Sequence, residues 1–215
     1  MGFSEIWQQF FSDIRHTGLL EFIAVIAGIV SVWFSKKEHI LVYPVGLINT
    51  IVYVYISVKG DLIGEASVNI YYTIMSIYGW YLWTKKNPSH QKILHITSAS
   101  QKEWLQHLSF FIFCYAAIYF SLVELKKNFY PGAIPWADAF ASATAFTGMW
   151  LMAKKKLESW YWWIATNIAS IPLYFVKHYV FTSIYYFVLL ILAFAGLVAW
   201  KNKMRYAKEN RDHWS

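Results

Sequence analysis

The stretch Leu19-Leu-Glu-Phe-Ile-Ala-Val-Ile-Ala-Gly-Ile-Val-Ser-Val-Trp-Phe-Ser35 carries a single acid, and Lys36 and Lys37 follow it at once. A bilayer core is about 30 Å thick, so a helix needs about 20 mostly apolar residues to cross it. The stretch reads as a membrane-spanning helix with a basic end. Six further runs read the same way: Ile40–Val58, Leu62–Trp83, Trp104–Glu124, Trp136–Met152, Trp160–Lys177 and Ser183–Trp200. The whole composition agrees. Of 215 residues 58% are hydrophobic and 14% charged, against roughly 45–50% and about 25% in soluble domains. So small a globule cannot hide that much apolar surface, so lipid must cover it, and disorder is excluded by the same figures. The single cysteine, Cys114, excludes a disulfide framework and a thiolate metal site. The net charge of +7 lies between hydrophobic runs, which argues for the bilayer and against nucleic acid as partner.

Short polar turns, Lys36–His39 and Lys59–Asp61, force neighbouring spans to run antiparallel. Two longer links, Thr84–Glu103 and Leu125–Pro135, flank the fourth span, the second broken by Pro131, Gly132 and Pro135. With seven spans, Lys36, Lys37, Lys85, Lys86, Lys92, Lys102, Lys154–Lys156, Lys201, Lys203, Arg205, Lys208 and Arg211 fall on one side. Arg15, Lys59, Lys126, Lys127 and Lys177 fall on the other. The positive-inside rule then places the C-terminus in the cytoplasm and the N-terminus outside. Trp83, Trp136, Trp160 and Trp200 stand near span ends, where interfacial aromatics belong. Residues 1–17 place Phe3, Ile6, Trp7, Phe10, Phe11 and Ile14 on one helical face and Glu5, Gln8, Gln9, Ser12 and Asp13 on the other. This predicts an amphipathic helix lying on the membrane or packed on neighbouring protein.

Spans one to three resemble spans five to seven at an offset of 117 or 118 residues. Glu21 meets Asp138, Trp33 meets Trp150, Asn49 meets Asn167, Lys59 meets Lys177, Gly79 meets Gly196, Trp83 meets Trp200 and Lys86 meets Lys203. The expected fold is an all-α integral membrane protein with seven transmembrane helices in a 3+1+3 parallel-repeat arrangement plus the N-terminal amphipathic helix. The units are 1–17, a first repeat 18–84, a loop and peripheral linker helix 85–130, a second repeat 131–203 and a cytoplasmic tail 204–215. Parallel repeats are a transporter architecture, with the substrate near the midplane between the halves.

Asn49 and Asn167 sit at mid-depth, where an amide has no water and needs a partner. They read as ligand contacts, with packing between helices as the alternative. Around Asn167, Trp160, Trp163, Ser170 and Tyr174 recur every three or four residues and share a face. Span three offers Glu65, Asn69, Tyr72, Ser76 and Trp83; span seven offers Ser183 and Tyr186. Trp163, Asn167, Asn49, Asn69, Tyr72, Ser170 and Tyr186 are the candidate substrate contacts, suited to a flat heteroaromatic amide, and a cationic ring would gain from the indole face. Glu21, Glu65 and Asp138 sit just inside the outer ends of spans. Each alone is explained by the helix dipole; together they make a candidate negative entrance or gate. No Walker motif, His-Glu-x-x-His or Gly-x-Ser-x-Gly turn occurs, and no acid sits at the centre of a span. An enzyme is disfavoured, and neither a metal nor another cofactor is expected. A ligand-binding membrane sensor remains as a second class.

Tyr43-Pro-Val-Gly-Leu-Ile-Asn49, Tyr78-Gly-Trp-Tyr-Leu-Trp83, Trp150 to Trp160, Trp163-x-x-x-Asn167 and Ile171-Pro-Leu-Tyr174 with Lys177 resemble the PnuC family of bacterial nicotinamide riboside transporters. The resemblance covers nearly the whole chain after the N-terminal helix. It implies uptake of nicotinamide riboside across the inner membrane by facilitated diffusion, with trapping by cytoplasmic phosphorylation. It also implies a 3+1+3 fold related to the SWEET sugar transporters and a homotrimer. Related members carry thiamine or riboflavin, so those cargoes are the alternatives.

Overall fold

The computed structural model describes residues 3–16, 18–59, 63–89, 92–128 and 132–212. They form eight helices: α1 (Phe3–His16), α2 (Leu19–Lys36), α3 (Val42–Lys59), α4 (Ile63–Thr84), α5 (Gln101–Asn128), α6 (Pro135–Ala153), α7 (Ser159–Val176) and α8 (Val180–Asp212). Two isolated bridge pairs, Lys86 with Lys92 and Thr97 with Lys156, are the only β contacts among the described residues. The turn residues 60–62 and Pro131 lie outside the described residues, as do the side chains of Phe3, Asp13 and Ile14. By length and composition α2, α3, α5 and α8 are apolar enough to cross a bilayer. The remaining long helices are more polar because α4 carries Asn69, Thr73 and Ser76, α6 is rich in Ala and Thr, and α7 carries Thr166, Asn167 and Ser170.

Six helices pack in a closed ring. α2 touches α3, α3 touches α4, α4 touches α6, α6 touches α7, α7 touches α8, and α8 returns to α2. Among the described residues α5 packs chiefly on α6 and also sets Phe111 against Trp162 of α7 at 5.1 Å, and α1 packs on α8, where Phe10 meets Phe181 at 6.1 Å. Trp7 and Phe11 of α1 stay exposed. The linker helix starts at a capping box: the Glu103 N–H donates to Ser100 Oγ (3.3 Å) and the Ser100 N–H to Glu103 Oε2 (2.8 Å). The stretch before it is strapped to the α6–α7 turn. Thr97 N donates to Lys155 O (3.2 Å), Leu157 N to Thr97 O (3.0 Å) and Ala99 N to Glu158 Oε1 (2.9 Å).

One expectation from the sequence needs correction. Trp83, Trp160 and Trp200 are not interfacial: all three are buried in the core where the two three-helix groups meet, while Trp136 is exposed. The Trp83 indole N–H donates to Ala153 O at the end of α6 (3.2 Å), and the Trp200 indole N–H donates to Ser35 O at the end of α2 (3.0 Å). Those carbonyls belong to the last turn of each helix, which has no partner within the helix. The Trp83 indole supplies a donor to Ala153 O, and the Trp200 indole adds a second to Ser35 O beside the Glu38 N–H, so bonding to helix ends outcompetes facing lipid. α8 runs on past Trp200 to Asp212, so residues 204–212 of the tail are helical. The extension carries three Lys and two Arg and has no Gly or Pro, which favours helix.

α2 and α6 end alike. Beyond α2, Glu38 adopts φ 59°, with Glu38 N donating to Ser35 O and His39 N to Phe34 O, both at 2.9 Å. Beyond α6, Lys155 adopts φ 52°, with Lys155 N donating to Met152 O and Lys156 N to Leu151 O, both at 3.0 Å. These are left-handed C-terminal caps. Neither residue is the glycine that such a cap favours, and each holds the other: Lys155 Nζ meets Glu38 Oε1 at 2.7 Å.

Candidate functional site

The ring's interior is lined by one face of α7 and by tyrosines from α3, α4 and α8. Trp163, Asn167, Ser170 and Tyr174 succeed one another at helical spacing on α7. The Trp163 ring lies against Gly148 of α6, where an added Cβ would come within 3.2 Å of it. It is tilted against Tyr72 of α4 at 6.4 Å between centroids. Tyr174 stacks on Tyr186 of α8 at 5.2 Å and 14°. The Tyr186 hydroxyl is within reach of the Tyr174 and Ser170 hydroxyls. Tyr72 and Tyr185 both lie close enough to Tyr186 to interact electrostatically, as does Tyr53 of α3. Pro172 sits within α7 beside this cluster, and Ser183 Oγ donates to Ile171 O at 2.9 Å.

The two central asparagines are used differently. Asn49 Nδ2 donates to Ala24 O of α2 at 2.7 Å. Asn167 is 3% exposed, and its Oδ1 is buried with no hydrogen-bond partner. A buried acceptor left unsatisfied costs about 1–3 kcal/mol. Asn69 is half-buried and donates to Glu65 O of its own helix at 2.9 Å. The fold therefore brings Trp163, Asn167, Tyr72, Ser170 and Tyr186 together, while the amides of Asn49 and Asn69 already hold backbone carbonyls. Tyr53, Tyr174 and Tyr185 join the group without having been candidates. Tyr174 was read on the α7 face that carries Asn167, and helical spacing would have marked Tyr53, one turn beyond Asn49. Nothing in the sequence separated Tyr185 from its neighbours.

The three acids share one end of the bundle. Asp138 Oδ1 pairs with Lys177 Nζ at 2.6 Å, and its Oδ2 accepts the Ile134 N–H at 2.7 Å. Glu65 lies within electrostatic reach of Lys177, Asp138 and Glu21. No ion pair holds Glu21 or Glu65 among the described residues. Each acid stands in the first turn of its helix, where the helix dipole favours negative charge. Asp138 is thus already compensated, whereas neither Glu21 nor Glu65 has an ion pair among the described residues.

At the opposite end Glu38 joins the two three-helix groups. Its Oε1 accepts from Lys155, and its Oε2 accepts from Lys203 at 3.0 Å. Partial burial pushes the Glu38 carboxyl up. Hydrogen bonds and charge from Lys155 and Lys203 outweigh that and hold it below the usual carboxylate range.

Comparison with known proteins adds identity to this geometry. Residues 18–202 match the family model described as Nicotinamide mononucleotide transporter. The nicotinamide riboside transporter PnuC of Escherichia coli (strain K12) is 24% identical over 212 residues, covering 86% of this chain and 86% of that protein. The riboflavin/roseoflavin transporter RibM of Streptomyces davaonensis is 22% identical over 202 residues, covering 92% of this chain and 89% of that protein. The crystal structure of the vitamin B3 transporter PnuC superposes with a TM-score of 0.69 at 22% identity, over 92% of this chain and 87% of that one. At that identity the likeness is one of fold.

Proposed function

The chain belongs to the nicotinamide mononucleotide transporter family, and from that premise we propose that it carries nicotinamide riboside across the bacterial inner membrane. The relative from Escherichia coli named for that cargo supports the choice. The observation that carries the reading is the buried Asn167 carbonyl oxygen without a partner, one turn from the Trp163 indole inside a closed ring of helices. Nicotinamide riboside has a cationic pyridinium, a carboxamide and a ribose. The carboxamide N–H donates to Asn167 Oδ1. Trp163 and Tyr72 face the ring, where cation–π attraction is worth about 2 kcal/mol when desolvated. Tyr186 and Ser170 meet the ribose hydroxyls, with Asn49 and Asn69 at the edge of the site. Glu21 and Glu65 draw the cation to the entrance, and the Asp138–Lys177 pair is the gate there.

The architecture that goes with this reading is seven spans in a 3+1+3 arrangement, N-terminus outside, C-terminus cytoplasmic, assembled as a homotrimer. The six-helix ring with α5 outside it supports that arrangement. Transport is facilitated diffusion, because the interior offers no acid at mid-depth for proton coupling, and cytoplasmic phosphorylation traps the product. A second reading, riboflavin as cargo, is favoured by the relative from Streptomyces davaonensis. It would use the same aromatic walls without the charge.

Proteoliposomes with the membrane potential collapsed test the proposal. Labelled nicotinamide riboside equilibrates and goes no further, and thiamine and riboflavin enter more slowly. Riboflavin uptake without nicotinamide riboside uptake overturns the cargo. Accumulation that appears only under an imposed proton or sodium gradient overturns facilitated diffusion.

A further inference from the structure

A cavity of about 450 Å³ opens where the α2–α3 turn, the end of α4 and the hairpin after it meet the α6–α7 turn. That size lies within the range of small-molecule sites. Lys86, Lys92 and Lys155 line it, together with Trp83, His39 and a single acid, Glu38. The acid is fully engaged: one oxygen holds Lys155 and the other Lys203. Lys155 is only 1% exposed, and its ammonium also donates to Leu94 O at 3.1 Å and lies 4.5 Å from the Trp83 ring centre. Lys86 and Lys92 form an antiparallel bridge pair. Residues directly opposite one another in such a pair share a face, and like charges placed so repel. No ion pair relieves either lysine among the described residues. Four lysines thus surround one carboxylate, and the two that no carboxylate balances stand side by side at the mouth.

We propose that this cavity binds a phosphate monoester or diester, whose anionic oxygens bridge Lys86 and Lys92 and whose remainder rests against the His39 and Trp83 side of the cavity. An anion between the lysines removes the repulsion that the hairpin otherwise carries and gains charge-assisted hydrogen bonds. The phosphate comes from a soluble nucleotide-sized ester or from the headgroup of an anionic lipid, which basic residues at a membrane surface attract. This site lies apart from the Trp163–Asn167 group and does not depend on what the protein transports.

The full chain in phosphatidylcholine nanodiscs is titrated with adenosine 5′-monophosphate, with adenosine as the uncharged control. In a second arm, phosphatidylglycerol retained through purification is counted by native mass spectrometry. Lys86→Gln with Lys92→Gln is expected to weaken nucleotide binding at least tenfold or to remove the retained lipid. Lys102→Gln with Lys208→Gln, an equal loss of charge on exposed helix surface, changes either by less than twofold. Whichever arm responds names the source of the phosphate. Amine-reactive labelling of the wild-type protein supplies a readout that needs no variant, since the bound ester protects Lys86 and Lys92 from modification. Equal losses in both variant pairs, no binding in either arm, or labelling that the ester leaves unchanged overturns the proposal.

Discussion

At one end of the bundle α2 stops with Glu38 in the left-handed region, and 117 residues later α6 stops with Lys155 in the same region, the two joined by an ion pair. Tyr43 packs edge-on to Trp83 at 5.2 Å and 88°; Trp160 packs edge-on to Trp200 at 5.5 Å and 90°. Each of those indoles, Trp83 and Trp200, caps the helix end of the opposite group. Half-way along the helices the correspondence fails. Asn49 is tied to Ala24 O, whereas Asn167 keeps a buried oxygen without a partner. At the far end Asp138 pairs with Lys177, whereas Lys59 lies over the Tyr55 ring at 5.4 Å and has no ion pair with Glu21. The difference separates two jobs. Where the groups must grip each other, equivalent positions do equivalent things. Where an asymmetric ligand would sit, equivalent positions diverge.

The ion pair offers the largest way to break this comparison. Glu38→Gln leaves the Lys155 ammonium buried without its counter-charge, at a cost of about 3 kcal/mol. Glu38→Met with Lys155→Met recovers most of that. Thermal unfolding in detergent with both variants reads the difference, and equal losses in the two would show that the pair is not what joins the groups.

Next in size are the paired close approaches. A Cβ on Gly79 would collide with the Tyr43 ring, and one on Gly196 with the Trp160 ring. Gly79→Ala and Gly196→Ala each lower stability by about 1–3 kcal/mol through overpacking. A loss confined to one of them would break the symmetry of the grip.

The asparagines sharpen the asymmetry. Asn167→Ala weakens nicotinamide riboside binding about tenfold, which is about 1.4 kcal/mol, with stability unchanged or raised because a buried unsatisfied acceptor is removed. Asn49→Ala loses about 1 kcal/mol of stability with its hydrogen bond and little affinity. Isothermal titration and thermal unfolding on both variants check this, and interchanged effects would reverse the roles given to the two residues.

The smallest effect is on pH. Since the Glu38 carboxyl is held below its ordinary range, its contribution is present above the unfolded-state value and is lost as pH falls through the folded-state value. The stability gap between wild type and Glu38→Gln is therefore constant near neutrality and narrows in acid. A gap that widened on acidification would contradict the direction of that shift.

Much of the fold was legible because burial in lipid leaves long apolar runs, and the offset series from Glu21–Asp138 to Lys86–Lys203 marked which helices correspond. The site was legible in part. Helical spacing on α7 put Trp163, Asn167 and Ser170 on one face, and the structure keeps them there. It could not say whether an indole near a helix end faces lipid or a neighbouring helix, since both environments favour tryptophan there. Trp83, Trp160 and Trp200 took the second. Nor could it separate Asn49 from Asn167, since the same amide at the same depth serves packing if a carbonyl lies within reach and serves a ligand if none does.

Composition and hydrophobic run length, which are local, were enough by themselves to determine a helical membrane protein and the approximate positions of its long helices. The reciprocal capping of α2 and α6 by Trp200 and Trp83, the Glu38–Lys155 pair, the isolation of the Asn167 oxygen and the facing of Lys86 against Lys92 were decided only in three dimensions. Each depends on which group stands within about 3–6 Å. For the caps, the ion pair and the asparagine that neighbour is set by how helices far apart in the chain pack. For the two lysines it is set by how the backbone folds back in the hairpin after α4.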